Sequence, residues 1–345
     1  MNFDNQKWQA ELRNSLPALK GCQFPRSSEI QLGGTRALAT ITMNEKGLLA
    51  NMQSDAAAFE GWALALLCHC QVQRVQIDID PVAKQDGPHY QRFLYRLKRF
   101  AELFPDRVIT AFTPAPRALA PGKRVWNQSN DRDEAPETHS KERMLAASRA
   151  GRSESDLELA LEVSKAFKAR FRLDKVMRQW PVGLFDGRVA SGNRIFTGGK
   201  SGIDLVGIRG DTLVLFELKK HGNEKVGAVS ELFFYASVMR DSIGTSAAFE
   251  FKSQRARKNC AIAPEDIVPC SRISAVLLAP KLHPLISEPR ILECLNQATT
   301  KPSLDRPIRF ETAILDYPED ESGDFTFSQD PFLAAKETNQ FFTRG

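Results

Sequence analysis

The sequence predicts an α/β protein in which a mixed sheet with flanking helices follows a smaller α/β or α+β domain. Strand-like and helix-like apolar patterns alternate along most of the chain, and one proline-rich polar stretch interrupts them. The length of 345 residues suggests about two domains, each large enough for its own core.

The stretch from Thr113 to Met144 marks the expected domain boundary. It is rich in proline and polar residues and has almost no apolar periodicity, so it cannot bury enough surface to become ordered. The resulting division is an accessory domain over 1–125, a linker over 126–150, a second domain over 151–317 and a C-terminal extension over 318–345.

Helical and strand-like segments alternate in both predicted domains. In the first we expect a helix over 55–70, a strand over 75–79, a helix over 89–104 and a strand over 107–112. In the second we expect a helix over 154–171, a strand over 176–184, a hairpin over 202–219, a helix over 225–241 and a strand over 273–280. The second series has the order α-β-β-β-α-β.

The composition excludes several classes of protein. The net charge of +5, from 47 basic and 42 acidic residues, permits a polyanionic partner without requiring one. No apolar run approaches the ~20 residues of a membrane span, so we expect a cytoplasmic protein with no membrane association. The six cysteines lack metal-site spacing, and free thiols in a reducing compartment fit best.

The hairpin over 202–219 carries the most informative pattern. The continuous apolar run from Leu213 to Phe216 indicates a strand covered on both faces. Because side chains alternate along a strand, Glu217 and Lys219 share one face with two leucines of that run. Burial of a charge without a partner is costly, so this pair requires a structural or chemical purpose.

The turn of this hairpin predicts the register of its strands. The Gly-Asp dipeptide at 210–211 is a signal for a two-residue loop, and counting back along both strands places Asp204 opposite Glu217. Directly opposed side chains have Cβ atoms roughly 4.5–5.5 Å apart, where two carboxylates repel. A cation such as Mg²⁺ between them would remove that repulsion.

The segment Gly202-Ile203-Asp204, followed by Glu217-Leu218-Lys219 after a short hairpin, resembles the core of the PD-(D/E)XK nuclease superfamily. Within this superfamily, the residues and spacing of the hairpin are most similar to those of NucS-like endonucleases and RecB-like nuclease domains. The similarity covers about residues 154–284. The resemblance implies a restriction-endonuclease-like α-β-β-β-α-β core. Isoleucine stands at 203, where the superfamily commonly has proline.

The resemblance also implies roles for the matching residues. Asp204 and Glu217 would be metal ligands, assisted by the backbone carbonyl of Leu218, and the cofactor would be Mg²⁺, with Mn²⁺ able to substitute. Lys219 would orient and help to deprotonate the attacking water. A cationic side chain at this place would also stabilise the anionic transition state.

Members of the superfamily often supply a further acidic residue from the preceding helix. Three candidates, Glu154, Glu158 and Glu162, are spaced by four and so share one helical face. Glu158 is preferred because it borders the apolar stripe of the helix, although it also fits a capping box that begins at Ser155.

The helix over 225–241 contains Glu231-Leu-Phe-Phe-Tyr235, which matches the QxxxY element of RecB-like members with glutamate in place of glutamine. This departure leaves the role of position 231 open. For Tyr235, core packing with a tethered hydroxyl is favoured over a nucleic-acid contact. Gln179 in the preceding strand is an unproven inward-pointing candidate.

An arginine stripe lies on the helix over 89–104. Arg92, Arg96 and Arg99 share one face, while phenylalanine and leucine side chains occupy another. The stripe is a candidate for contact with a nucleic-acid backbone. A solvated face with extended side chains is the competing and favoured interpretation.

The sequence therefore predicts a Mg²⁺-dependent nuclease, favouring a DNA endonuclease of repair or defence and leaving RNA open as substrate. The first domain would recognise the substrate or a protein partner, or form a homodimer. Two alternatives stay open: a catalytically silent nucleic-acid-binding protein with the same fold, and an interaction protein whose charged residues form a salt bridge.

Overall fold

The computed structural model describes residues 4–80, 87–128, 154–244, 246–251, 261–301 and 304–315. It is a mixed α/β structure with one four-stranded sheet and one seven-stranded sheet. Residues 129–150 of the predicted linker and the whole predicted extension over 318–345 lie outside the described residues. Within the described ranges, no helix has the length and apolar character needed to cross a membrane.

The first part of the chain forms the smaller sheet and its helices. Their bounds are α1 Asn5–Ser15, β1 Ile30–Gly34, β2 Leu38–Met43, α2 Glu45–Leu49, α3 Phe59–His69, β3 Arg74–Ile79, α4 Pro88–Leu103 and β4 Val108–Thr110. The predicted helices and strands of this region are confirmed, within a few residues at their ends. The strands β1 and β2 and the helices α1 and α2 were not predicted.

The remaining elements build the larger sheet. Their bounds are β5 Val125–Asn127, α5 Glu154–Val163, α6 Lys165–Phe171, β6 Lys175–Asp186, β7 Arg194–Arg209, β8 Thr212–Leu218, α7 Gly227–Arg240, β9 Phe249–Glu250, α8 Pro264–Ile267, β10 Arg272–Ala279, α9 Pro284–Ser287, α10 Pro289–Thr299 and β11 Ile308–Ile314.

The larger sheet is mixed and has the strand order β11-β10-β8-β7-β6-β5-β9. The strand β7 pairs antiparallel with both β6 and β8, whereas β10 pairs parallel with both β8 and β11. Alternate residues of β8 enter two different apolar clusters, one on each face of the sheet. The continuous apolar run of β8 is thus explained by burial on both sides.

The helix predicted over 154–171 is wrong in one respect, because the structure divides it into α5 and α6 at Ser164. This residue has an extended backbone, and its hydroxyl accepts a hydrogen bond from the N–H of Phe167 at 2.9 Å. A serine side chain that caps a new helix competes with continuation of the previous one. Both helices pack on the same face of the larger sheet.

The two sheets share one apolar cluster. It extends from Trp8 in α1 to Phe310 in β11, and the rings of Phe100 in α4 and Phe233 in α7 contact edge-on with centroids 5.8 Å apart. The strand β5, at the start of the predicted linker, pairs with β6 and β9 in the larger sheet. The division into domains stays a prediction, and the structure adds that the two sheets pack directly together.

Candidate active site

The strand pair β7–β8 places the two predicted metal ligands side by side. The strands are antiparallel, with Leu205 paired to Phe216, and the next position in this register joins Asp204 to Glu217. The backbone N–H of Leu218 donates a hydrogen bond to Asp204 Oδ2 at 2.7 Å. The register predicted from the Gly-Asp turn is therefore confirmed.

A third strand extends this row of polar residues. The β6–β7 register places Gln179 across from Asp204, between pairs that are formed on either side. Gln179 has a φ of +54°, a left-handed conformation that is costly for a residue with a side chain. Such strain often occurs at functional sites, and here it interrupts the regular pairing of β6 next to the carboxylates.

Lys219 lies directly after β8 and is 3% exposed. Its backbone N–H donates to the carbonyl of Leu278 in β10 at 2.9 Å, which fixes the residue at the end of the parallel strand pair. Its ammonium group forms ion pairs with Glu217 and, at 3.1 Å, with Glu231 Oε2. Burial alone would lower the pKa of Lys219, but these carboxylates outweigh it and raise the pKa.

The carboxylates of Asp204 and Glu217 are held in an unfavourable environment. Burial is the main cause that raises both pKa values well above their ordinary range. The negative charges of Glu158 and Glu231 raise the pKa of Asp204 further, while Lys219 opposes them. The site therefore brings together more carboxyl groups than its one lysine can neutralise.

The chemistry of these donors suits a hard divalent cation. Glu217 Oε2 is buried and has no hydrogen-bond partner among the described residues. In the described ranges, however, no three histidine, cysteine or acidic side chains already stand together as a metal-binding cluster. The residues thus fit a cation held by the pair Asp204 and Glu217, since Mg²⁺ commonly takes only one or two carboxylates and keeps water at its other positions.

Of the three glutamates of α5, Glu158 is the one directed at this row. It is 3% exposed, and its carboxylate accepts a hydrogen bond from Gln179 Nε2 at 2.7 Å. Burial is the main cause that raises the pKa of Glu158 to about 7. Glu154 Oε1 instead accepts from the backbone N–H of Lys220 at 3.3 Å, and Glu162 accepts from the N–H of Arg178 at 3.0 Å.

Two further residues complete the site: Glu231, whose role the sequence left open, and Gln53, which the sequence did not mark. Glu231 in α7 is 2% exposed and binds Lys219, and its other carboxylate oxygen accepts from Gln53 Nε2 at 2.8 Å. A glutamate within an apolar helical run was a usable signal for Glu231. No sequence pattern marks Gln53, which lies 178 residues away in the first part of the chain.

Tyr235 is buried one helical turn after Glu231. Its hydroxyl is 3.1 Å from Ser201 Oγ in β7, and only 3% of the residue is exposed. This position agrees with the packing interpretation. The ring is therefore almost wholly withdrawn from the surface at which a nucleic acid would bind.

The arginine stripe of α4 requires a correction, because the three side chains are occupied within the fold. Arg96 is 2% exposed and forms a two-pronged ion pair with Glu60. Arg92 is also buried and contacts the carbonyl of Ala50 at 3.3 Å, and Arg99 binds Asp241 at 2.7 Å. Arg92 and Arg96 are therefore withdrawn from solvent and from a phosphate backbone, while the partly exposed Arg99 is engaged by Asp241 and Glu102. This face of α4 is covered by α2, α3 and α7, which a single-helix pattern does not reveal.

Comparison of the chain with known protein families, with curated proteins and with solved structures found no match in any of the three.

Proposed function

We propose that the chain is a Mg²⁺-dependent nuclease that hydrolyses phosphodiester bonds, with DNA as its substrate. The observation that carries the proposal is the arrangement of Asp204, Glu217 and Lys219 where β7 and β8 meet the end of β10. The order α5, β6, β7, β8, α7, β10 agrees with the restriction-endonuclease-like core that the sequence resembles.

In this proposal Asp204 and Glu217 hold the cation, together with the backbone carbonyl of Leu218. Bound there, Mg²⁺ supplies Lewis-acid stabilisation of phosphate charge and lowers the pKa of an attacking water. Lys219, kept as an ammonium by its carboxylate partners, donates hydrogen bonds that orient water and stabilise developing negative charge. Glu158 accepts from Gln179 and so maintains the row of side chains on which the substrate would lie.

The proposal is tested by a cleavage panel of duplex, single-stranded, branched and mismatched DNA, with matched RNA, in Mg²⁺ and in Mn²⁺. We expect cleavage by the wild-type chain and its loss in Asp204→Ala, Glu217→Ala and Lys219→Ala. Asp211→Asn is the matched control, because Asp211 is an exposed carboxylate in the turn at the other end of the same hairpin. Full activity in all three site variants contradicts the proposal.

The ion pairs of Lys219 also support a second candidate function, a nucleic-acid-binding protein that does not cut. In that case the contacts of Lys219 with Glu217 and Glu231 would neutralise part of the negative charge of the site without a metal. Isothermal titration with Mg²⁺ and Mn²⁺, in the presence of DNA, separates the two candidates. Metal binding that Glu217→Gln removes favours the nuclease, and DNA binding without metal binding favours the silent protein.

A further inference from the structure

Two cysteines outside the site lie against one another, on helices from different parts of the chain. Cys68 is in α3, next to its last residue, and Cys294 is in the middle of α10. The thiol of Cys68 is 3.7 Å from the carbonyl of Arg290, one helical turn before Cys294, and the ionisation of the two thiols is linked. Both residues are partly exposed.

Arg107 adds a positive charge to this thiol pair. Its guanidinium donates to Cys294 Sγ at 3.9 Å and to the carbonyl of Leu67 at 3.3 Å, so it bridges the two helices at the position of the cysteines. A thiolate beside a guanidinium is stabilised, and the thiolate is the form that attacks electrophiles. Arg107 and Cys294 also line an open surface groove of about 170 Å³, which gives small molecules access to the sulfur.

The ionisation of the two thiols is asymmetric. The hydrogen bond from Cys68 lowers the pKa of Cys294 to about 7, with help from Arg107 and against the effect of burial. The same hydrogen bond, together with burial, raises the pKa of Cys68. Asp106 and Lys301 also line the groove, and Arg290 lies near Cys68. One sulfur is therefore suited to attack and the other to remain a thiol.

We propose that Cys68 and Cys294 form a peroxide-reactive pair, in which Cys294 is the attacking cysteine and Cys68 the resolving one. The Cys294 thiolate attacks one oxygen of hydrogen peroxide, the O–O bond breaks, and the departing hydroxide takes up a proton to become water. Cys294 is then a sulfenic acid. The sulfur of Cys68 displaces its hydroxyl, which leaves as a second water with the thiol proton, and an S–S bond forms. The two thiols lose two electrons in total, and the peroxide gains them.

None of the other described cysteines combines partial exposure with a lowered thiol pKa. Cys70 and Cys270 are buried, and burial raises the pKa of each, to about 12 and about 11 respectively. Cys22 is partly exposed, but its pKa is also raised, mainly by burial. Among the five described cysteines, oxidation at low peroxide should therefore begin at Cys294. The product would join α3, which packs against α7 of the candidate active site, to α10.

The full-length chain, reduced and then treated with a small excess of hydrogen peroxide at neutral pH, tests the proposal. We expect non-reducing peptide mapping to find a Cys68–Cys294 disulfide that dithiothreitol reverses. In Cys68→Ser the disulfide is lost, and dimedone labels Cys294 as a sulfenic acid. Cys22→Ser is the matched control and should oxidise as the wild type does. A wild-type chain without the linked peptide, or a Cys68→Ser chain in which dimedone labels another of the described cysteines in place of Cys294, overturns the proposal.

A second measurement uses the wild-type protein and so does not depend on folding of a variant. Iodoacetamide alkylation, followed for each cysteine by mass spectrometry across pH 5 to 9, should be roughly tenfold faster at Cys294 than at Cys22 near neutral pH, because more of Cys294 is thiolate. Arg107→Gln should slow alkylation at Cys294 and leave Cys22 unchanged. Equal rates at the two cysteines contradict the proposal.

Discussion

Asp204 and Glu217 destabilise the fold that holds them when no cation is present. Both carboxylates have pKa values raised mainly by burial, and neighbouring negative charges add to the effect. A carboxyl group whose folded-state pKa lies above its unfolded value lowers stability once the pH is high enough to ionise it in the unfolded chain. The site thus stores unfavourable electrostatic energy that a bound cation would release.

Replacement of Asp204 by asparagine should therefore stabilise the metal-free protein. Asparagine keeps an oxygen that can accept from the N–H of Leu218 and removes the negative charge. We expect Asp204→Asn to unfold a few degrees above the wild type in chelator at neutral pH. Differential scanning fluorimetry measures this shift.

The same fluorimetry experiment includes its own control and a metal arm. Asp211→Asn removes an exposed carboxylate that accepts a hydrogen bond from Ser271 Oγ at 2.6 Å, so it should not raise the midpoint. Addition of Mg²⁺ should raise the midpoint of the wild type more than that of Asp204→Asn, because a ligand that binds the folded state stabilises it. A lower midpoint for Asp204→Asn in chelator contradicts the electrostatic argument.

His283 gives the protein a separate dependence on pH. It is 5% exposed, and its Nδ1 accepts a hydrogen bond from the N–H of Leu285 at 3.2 Å. Burial lowers the pKa of His283 to about 4, from an ordinary value of 6.5. Between these two values the unfolded chain binds a proton that the folded chain does not, so stability falls as the pH falls.

We expect the loss to approach about 1.4 kcal/mol per pH unit within that window, because one proton separates the two states. His283→Asn keeps an acceptor for the same N–H and cannot titrate. Urea unfolding of both proteins at pH 7, 6 and 5 should give a shallower decline for the variant. Parallel declines would show that other groups cause the acid sensitivity.

At the level of helices, one buried ion pair joins three elements. Arg96 in α4 binds Glu60 in α3, and Ser230 in α7 donates to the same carboxylate at 2.8 Å. The guanidinium also reaches the carbonyl of Ala57 at 2.9 Å and lies over the ring of Phe59. Arg96, one of the candidates for a nucleic-acid contact, thus attaches α4 to the helix that carries Glu231.

Replacement of Arg96 should lower the unfolding free energy substantially. Arg96→Met leaves the buried charge of Glu60 without its partner, and we expect a loss of about 3–5 kcal/mol in unfolding free energy. Lys98→Met on the exposed side of the same helix is the control and should cost less than about 1 kcal/mol. Chemical denaturation measures both, and a double variant with Glu60→Gln should recover part of the loss. Equal effects of Arg96→Met and Lys98→Met would contradict the importance of the buried pair.

At the level of the whole molecule, two glycines allow the first part of the chain to approach α7. A Cβ at Gly227 would lie 2.2 Å from the backbone oxygen of Gln53, and a Cβ at Gly61 would lie 2.3 Å from a methyl carbon of Val226. The same contact region contains the hydrogen bond from Gln53 to Glu231. The contacts that pack the first part of the chain against α7 therefore also bring Gln53 to the candidate site.

We expect the described parts of the chain to unfold together, in one calorimetric transition. Gly227→Ala should shift that whole transition to lower temperature, by an amount equivalent to about 1–3 kcal/mol, because the added methyl group collides with backbone. Gly192→Ala, where a Cβ would meet nothing within 4 Å, should leave it unchanged. Two separate transitions, with only one of them sensitive to Gly227→Ala, would show that the two sheets are independent.

Local rules were sufficient for much of the fold and for the centre of the candidate site. The period of two in β8 and the Gly-Asp turn predicted that Asp204 and Glu217 are neighbours, and the structure confirms that register. These features depend on residues close together in the chain, so pattern and turn chemistry specify them. The preference for Glu158 over Glu154 and Glu162 followed from its position beside an apolar stripe, which sets the direction of the side chain.

Contacts between segments that are distant in the chain could be identified only from the folded structure. Gln53 reaches Glu231 across 178 positions, and Glu60 and Arg96 neutralise each other between helices. An exposed arginine stripe and a buried one have the same spacing in a single helix, because spacing defines a face and not its neighbour. Which charges are neutralised, and which remain to attract a cation, depends on how α3, α4 and α7 pack, and that packing is absent from any local pattern.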